Sequence, residues 1–181
     1  MIIGQVEAVL IGKIVPFSRG QGSAMNKMTM SEPQFATMVG FVGDEQADKK
    51  HHGGVEKAIH IYPSEHYAAW SERSDNTAFK VGAFGENLSS VGVDEYNICQ
   101  NDIVQIGGAK LQVSQGRMPC WKLNKQFSID DMALQVQNTL RTGWYFRVLQ
   151  EGSIQAGDEI MLLERPFPEW SLARIMQIFY L

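Results

Sequence analysis

The sequence predicts a mainly β protein of the α+β class, a β-barrel with a few peripheral helices. Short runs rich in Ile and Val alternate with polar turns along most of the chain. Few segments show the spacing of apolar residues that a helix needs. A length of 181 residues, of which 44% are hydrophobic, suits one domain with enough apolar material for a core.

The strand signature recurs along the chain. It covers residues 1–15, 35–42, 58–62, 102–106, 109–115, 144–149 and 159–164. We expect Gly12 to break the first strand and Pro16 to end it. Residues 18–34 carry Ser, Gly, Asn, Thr and Pro, which predicts a loop or an irregular hairpin. Gly107-Gly108 stands between two strand segments and predicts a hairpin turn.

Two internal segments predict helices. Ser64 is a suitable N-cap, and Tyr67 and Trp70 follow it at helical spacing. A second helix is expected to start in a capping-box-like sequence at Ser128 and to end before Gly143. Both helices are placed on the periphery of the barrel.

The C-terminal residues form a separate unit in this interpretation. Residues 171–181 predict a helix with one apolar face, formed by Leu172, Ile175, Met176, Phe179 and Tyr180. That face either covers the barrel, pairs with a second copy in a homodimer, or continues into a longer helical region. We therefore divide the chain into a barrel domain, residues 1–165, and a C-terminal helical segment, residues 166–181.

Charge and terminal sequence narrow the classes of function. Sixteen basic against 20 acidic residues give a net charge of −4, which argues against nucleic-acid binding through bulk charge. The N-terminus has no basic stretch followed by an apolar one, so we expect no signal peptide. No apolar run is long enough to span a membrane. Free cysteines without an export signal predict a cytoplasmic protein.

All four histidines lie between positions 51 and 66, in a stretch that is locally basic. From Lys49 to His60 the chain combines Lys and His side chains with Gly53-Gly54, and glycines let backbone N–H groups approach a ligand. The spacing of the histidines argues against a zinc site built from histidine alone. Two interpretations stay open: an anion site, as for a phosphate, or a solvated charged loop.

The two cysteines differ in their neighbours. Cys99 has no nearby cation, and we interpret it as structural. Cys120 stands between Arg117 and Lys122, which favour the thiolate that attacks or binds soft metals. Pro119 predicts a rigid connector after the preceding strand. From these residues alone, a functional thiol and a buried structural cysteine are both possible.

Several ordered blocks resemble the MOSC domain (molybdenum cofactor sulfurase C-terminal domain), in its stand-alone bacterial branch. The similarity runs from about residue 4 to 165. The matching blocks are Asp44-Glu45-Gln46 with Lys50, His52-Gly53-Gly54 and Glu56-Lys57-Ala58; Tyr62-Pro63 with Glu65-His66-Tyr67; Phe84-Gly85-Glu86-Asn87-Leu88; Val113-Ser114-Gln115 with Arg117 and Pro119-Cys120; Lys122-Leu123-Asn124; and Gln137-Asn138-Thr139 with Gly143-Trp144.

This resemblance implies a β-barrel that binds the molybdenum cofactor, molybdopterin, with Cys120 as the protein ligand of the metal. It implies a reductase that converts N-hydroxylated compounds, such as 6-hydroxylaminopurine, to amines. Because the sequence shows no flavin, NAD or haem motif, we expect electrons from a separate reductase. We expect no sulfur-mobilising half, since the aminotransferase-like domain of the cofactor sulfurases has no counterpart here.

The resemblance also assigns site residues. The expected catalytic groups are Cys120, Glu86, Asn87 and His66. The expected cofactor-binding residues are Lys50, His52, Gly53, Gly54, Lys57, Arg117, Lys122 and Asn138. Two other functions stay open at this point: a carrier of cofactor or sulfur that turns over no organic substrate, and a phosphate-binding module in which Cys120 is inert.

Overall fold

The computed structural model describes residues 1–18, 20–47, 53–73 and 76–180. In chain order its strands are β1 (Ile2–Gly12), β2 (Val15–Ser18), β3 (Gln21–Ser23), β4 (Lys27–Thr29), β5 (Gln34–Thr37), β6 (Gly40–Phe41), β7 (Ile59–Pro63), β8 (Leu88–Val91), β9 (Ile103–Ile106), β10 (Ala109–Gly116), β11 (Trp144–Gln150), β12 (Gly152–Ile154) and β13 (Glu159–Glu164). The helices are a one-turn 3-10 helix (Val55–Lys57), α1 (Glu65–Ser71), α2 (Trp121–Phe127), α3 (Met132–Thr139) and α4 (Leu172–Tyr180).

Seven of these strands close into a barrel, as the sequence predicts. Their order is β13-β9-β10-β11-β7-β8-β1, and β1 pairs again with β13. All neighbours are antiparallel except β7 and β8. The end of β1 extends beyond its pairing with β8 and carries β4, with Gly12 opposite Lys27. The long first strand therefore connects the barrel to the segment that contains Lys27.

The barrel wall is buried on both faces around β7 and β11. Ile59 and Ile61 face the barrel interior together with Trp144 and Phe146. Since side chains alternate along a strand, His60 and Tyr145 lie on the outer face, where they are directly opposite one another. Both remain buried, so other parts of the chain cover this outer face.

A second, aromatic core covers part of this outer face. Tyr62 stacks on Phe84 with 4.2 Å between ring centroids, and Phe79 stacks on Phe127 at 4.5 Å. The indole N–H of Trp70 donates to the Tyr62 hydroxyl at 2.7 Å. These contacts fix α1, α2 and the segment before β8 against the barrel, with Phe84 at the edge of a cavity.

Two expectations about individual elements are wrong. Pro16 does not end a strand, because it lies inside β2, which forms a separate hairpin with β3. Ser128 does not start a helix; it ends α2 in a left-handed conformation with φ of 54°. The next helix, α3, starts from Asp131 instead. The sequence predicts only a rigid connector around Pro119 and Cys120, so α2 is an additional helix.

The C-terminal helix covers the barrel with its inner face, the first of the three explanations for its apolar residues. Leu172, Ala173 and Met176 are buried in the barrel core. Ile178 and Phe179 lie on the other side and are 63% and 78% exposed, so the apolar face is narrower than the spacing predicts. Within the described residues, no helix combines the length and apolar character required to cross a bilayer.

We predict that Met176→Ala lowers the free energy of unfolding by about 2–5 kcal/mol, because it opens a cavity against β10. The Met176 sulfur packs on Gly116, where an added Cβ would lie 2.8 Å from it. Ile178→Ala on the same helix is the control and should change stability by less than about 0.5 kcal/mol. Denaturant unfolding of both variants measures the difference, and equal losses would contradict the docking of α4.

Candidate functional site

A cavity lies against the outer face of the barrel wall. Its lining comes from segments that are distant in sequence: residues 23–27, 44–47, 57–60, 84–87 and 117–122, with Tyr145 on β11.

A buried ion pair forms one wall of this cavity. The Lys27 ammonium lies 2.6 and 2.7 Å from the two carboxylate oxygens of Asp44, and the side chains are only 6% and 3% exposed. The same carboxylate accepts the backbone N–H of Gly12 at 2.7 Å. Asp44 thus connects the end of β1, the start of β4 and the segment after β6.

Asn87 extends this network to the next strand. Its side-chain amide donates to the Asp44 carboxylate at 2.8 Å, and its carbonyl oxygen accepts the backbone N–H of His60 at 3.1 Å. The backbone N–H of Asn87 also donates to the His60 carbonyl at 2.7 Å. Asn87 is therefore held at both ends and fixes the position of His60 in the cavity wall.

His60 is a neutral imidazole in this environment. Burial lowers its pKa well below the usual 6.5, and the positive charges of Arg117 and Lys27 lower it further. Its Nε2 atom is buried without a hydrogen-bond partner among the described residues. The His60 ring packs on Tyr145 with 5.1 Å between ring centroids.

Cations surround Tyr145 at this side of the cavity. The Lys57 ammonium lies over the Tyr145 ring, 5.9 Å from its centroid. Burial raises the pKa of the Tyr145 phenol, and the positive charge of Arg117 opposes that shift. Arg117 itself is 5% exposed, and its Nη1 atom has no partner among the described residues. A buried guanidinium with a free donor is suited to bind an anion.

Arg117 is positioned through Gly143. The backbone N–H of Arg117 donates to the Gly143 carbonyl at 3.0 Å, while the Gly143 N–H donates to the Glu95 carboxylate at 2.7 Å. Gly143 has a φ of +67°, and an added Cβ would lie 2.8 Å from the His60 ring nitrogen. Only glycine fits this position without displacing the cavity wall.

Cys120 opens into the same cavity from another element. It is half-buried and immediately precedes α2, in an extended conformation with φ of −132° and ψ of 165°. Two residues further on, the Lys122 ammonium donates to the Gly22 carbonyl at 3.4 Å. The Cys120 thiol is accessible from the cavity. Cys99, by contrast, is buried against the C-terminal segment.

Five of the residues assigned from sequence come together in the cavity. They are Lys57, Asn87, Arg117, Cys120 and Lys122. These residues supply one thiol, one amide and three cations. Their shared location supports the assignment of this cavity as the site, while their individual roles stay predictions.

Other assigned residues lie elsewhere. Glu86 is fully buried behind the cavity wall, where one carboxylate oxygen accepts the Tyr67 hydroxyl at 2.6 Å, and burial raises its pKa. His66 Nε2 lies 2.7 Å from one carboxylate oxygen of Glu95, and the other oxygen of Glu95 accepts the backbone N–H of Gly143. Asn138 is exposed on α3, away from the cavity.

The glycines of the histidine-rich stretch do not line the cavity either. Gly53 and Gly54 come just before the 3-10 helix that brings Lys57 to the wall. Lys50 and His52 lie outside the residues that the structure describes. Within the described ranges, no three His, Cys, Asp or Glu side chains are placed to hold a metal ion by themselves.

Sequence reasoning missed other cavity residues, above all Lys27, His60 and Tyr145. His60 lay in the basic stretch and Asp44 in a family block, so both carried a signal that was not used. Lys27 carried none, because it lies in a segment without regular periodicity. The pairing of β4 with β1 is what brings it to the site.

Comparison with known proteins identifies the family of this chain. The model of the MOSC domain matches residues 48–161. The chain belongs to the MOSC domain family. This MOSC protein is 42% identical to YiiM of Escherichia coli strain K12 over 159 residues, which are 87% of the chain and 71% of YiiM. It therefore lies on the YiiM-like branch, and a molybdenum-cofactor-associated function follows from its family.

Two further relatives agree with this placement. A protein of Gibberella moniliformis named "Reductase" is 40% identical over 161 residues, 86% of this chain but only 28% of the fungal protein. The crystal structure of YiiM from Geobacillus stearothermophilus superposes with a TM-score of 0.83 at 35% identity, covering 98% of this chain and 84% of that chain. The MOSC barrel is thus confirmed.

The cavity of this MOSC protein fits the cofactor that the family implies. A pterin phosphate requires cations and N–H donors, and the unpartnered Nη1 of Arg117 is such a donor in a buried position. The molybdenum of this cofactor accepts thiolate ligands, and Cys120 offers a thiol on the same cavity. The donor set is therefore chemically suited to the group.

The neutrality of His60 has a consequence for stability. Since its pKa in the folded state is well below 6.5, the unfolded chain takes up a proton first as the pH falls. The free energy of unfolding should therefore drop below pH 6.5, by up to about 1.4 kcal/mol per pH unit. We expect this slope in the wild type and a shallower one in His60→Gln.

Denaturant unfolding between pH 7.5 and 5 measures the two slopes. NMR titration of the histidine ring signals provides an independent check, with the His60 signal assigned from its absence in the variant. A His60 ring that titrates near 6.5 in the folded protein, or equal slopes for both proteins, would contradict the buried neutral imidazole.

Proposed function

We propose that this protein binds the molybdenum cofactor in the cavity and reduces N-hydroxylated compounds, such as 6-hydroxylaminopurine, to amines. The observation that supports it most is the combination of the half-buried Cys120 thiol and the buried Arg117 guanidinium, whose Nη1 has no partner among the described residues, on one cavity. The name of the fungal relative, "Reductase", agrees with an oxidoreductase role. YiiM-like relatives support the cofactor association.

Each cavity residue has a task in this proposal. Cys120 would hold the metal through its sulfur, and Arg117, Lys57 and Lys122 would bind the anionic part of the cofactor. When bound, the cofactor supplies the two-electron redox chemistry that no amino-acid side chain provides. The protein contributes binding, orientation and the electrostatic environment.

Asn87 and the apolar residues of the cavity would orient the substrate. Asn87 is clamped by Asp44 and His60, so the groups around it keep fixed positions during the reaction. Phe84 and Met25 give the cavity an apolar side that excludes water and suits the flat ring of a purine. Neutral His60 avoids adding a further positive charge near the substrate.

The reaction consumes an N-hydroxylated compound, two electrons and two protons, and it releases the amine and one water molecule. A separate reductase would supply the electrons, because the chain shows no flavin, NAD or haem motif. We propose the cytoplasm as its location, where free thiols such as Cys99 and Cys120 are stable.

The two cysteines provide a matched pair of variants. We expect Cys120→Ser to hold less molybdenum as purified and to lose the reduction of 6-hydroxylaminopurine, because serine replaces the sulfur ligand with an oxygen. Cys99→Ser should keep both, since Cys99 lies outside the cavity. Metal and pterin analysis of each purified protein, with turnover under a chemical reductant, measures both properties.

The outcomes separate the alternatives. Cofactor bound to the wild type without turnover of 6-hydroxylaminopurine or benzamidoxime would favour a carrier of the cofactor. Wild-type protein without molybdenum, from a host that makes the cofactor, would contradict both cofactor-based functions. Full activity in Cys120→Ser would contradict its assignment as metal ligand.

A further inference from the structure

The residue roles proposed above do not include the buried Lys27. We propose that Lys27 is the general acid of this site: its ammonium gives a proton to the oxygen that leaves when the N–O bond of the substrate breaks. The inference rests on the reductase function proposed above and adds a catalytic residue to it. A general acid must be held within reach of the atom that it protonates.

Lys27 is held in place by a buried carboxylate. Its ammonium lies 2.6 and 2.7 Å from the two oxygens of Asp44, and the side chain is 6% exposed. An ammonium has three N–H bonds, so one remains for the cavity after these two contacts. Lys27 lines the same cavity as Cys120.

The partner of Lys27 is itself tied down. Gly12 donates its N–H to one Asp44 oxygen at 2.7 Å, and Asn87 donates its side-chain amide to the other at 2.8 Å. These two donors stabilise the carboxylate even when Lys27 has lost a proton. Asp44 therefore positions the ammonium without depending on it for all of its hydrogen bonds.

Other polar groups of the cavity are less suited to the task. His60 holds no ionisable proton to give at neutral pH, because burial and nearby cations keep its pKa well below 6.5. Burial raises the pKa of Tyr145, which makes its phenol a weaker acid. Arg117 is excluded by chemistry, since guanidinium groups do not lose protons in proteins.

The two remaining lysines are directed to other partners. The Lys122 ammonium donates to the Gly22 carbonyl, and Lys57 lies over the Tyr145 ring. The contact of Lys122 is with a backbone carbonyl and not with a buried carboxylate. These positions suit the binding of an anion, whereas Lys27 is positioned for proton transfer.

The environment of Lys27 makes it a better acid than a lysine in water. Burial lowers its pKa from the usual 10.5, and this effect exceeds the opposite effect of Asp44 and of the more distant Glu86. The remaining titratable neighbour is His60, which is neutral. A lowered pKa that stays above the working pH is what a general acid needs.

The proton balance is simple. The N–O bond breaks with the two electrons that the proposed reduction supplies. The departing oxygen, which already carries one hydrogen, takes one proton from Lys27 and leaves as water, while the nitrogen takes the second proton from solvent. Lys27 becomes a neutral amine beside Asp44. Solvent at the cavity mouth then returns a proton to Lys27 before the next turnover.

Lys27→Arg tests the assignment, because arginine keeps the positive charge next to Asp44 but does not release a proton. We expect it to retain molybdenum and pterin, to leave KM within a few-fold and to lower kcat by about 100-fold or more. The wild-type kcat should fall as the pH rises through the Lys27 pKa, below 10.5, and the variant should lack this dependence. Lys110→Arg, on β10 outside the cavity, is the matched control.

A second measurement needs no turnover. NMR of the lysine side-chain Cε signals in cofactor-free protein should show Lys27 titrating with a pKa below the usual 10.5, with the signal assigned by its loss in Lys27→Arg. A Lys27 that titrates at or above 10.5 would overturn the proposal.

Three results of the kinetic test would also overturn it. The cofactor-loaded Lys27→Arg variant could keep half of the wild-type kcat, or its kcat could still fall at alkaline pH as in the wild type. The variant could also lose the cofactor, which would make Lys27 a binding residue. In each case the wild type still reduces substrate, so the proposed function stands. A loaded wild type without turnover contradicts that function, and the role of Lys27 fails with it.

Discussion

The cavity depends on one buried carboxylate. Asp44 accepts two contacts from Lys27, one from the backbone of Gly12 and one from Asn87, and its side chain is 3% exposed. A buried ion is tolerated only when its hydrogen bonds are satisfied, and breaking such a pair costs about 3–5 kcal/mol. Four segments of the chain therefore keep their relative positions because they share this group.

The rest of the site follows from that constraint and from the barrel. Asn87 carries the network to His60, whose neighbours on β7 face the barrel interior. The alternation of side chains along β7 thus puts apolar residues on one side of the wall and cavity residues on the other. Lys27, Lys57, Arg117 and Lys122 then make this side locally positive, although the chain as a whole has a net charge of −4.

Local patterns were enough to predict much of the fold. The Gly107-Gly108 turn, the strand before Pro63 and the C-terminal helix depend on nearby residues, and each is found where expected. Residue type also singled out Cys120 and Arg117, and both line the cavity. By contrast, Lys27 enters the site through strand pairing, and Glu86 and His66 turn into the interior. Long-range contacts decide such orientations, and no local pattern records them.

The central claim is that Cys120 binds the metal of a molybdenum cofactor in this cavity. Molybdenum K-edge X-ray absorption of the loaded protein tests it most directly, because it counts the sulfur atoms around the metal. We predict one sulfur more in the wild type and in Cys99→Ser than in Cys120→Ser reconstituted with the same cofactor. The same sulfur count in all three proteins would contradict the claim.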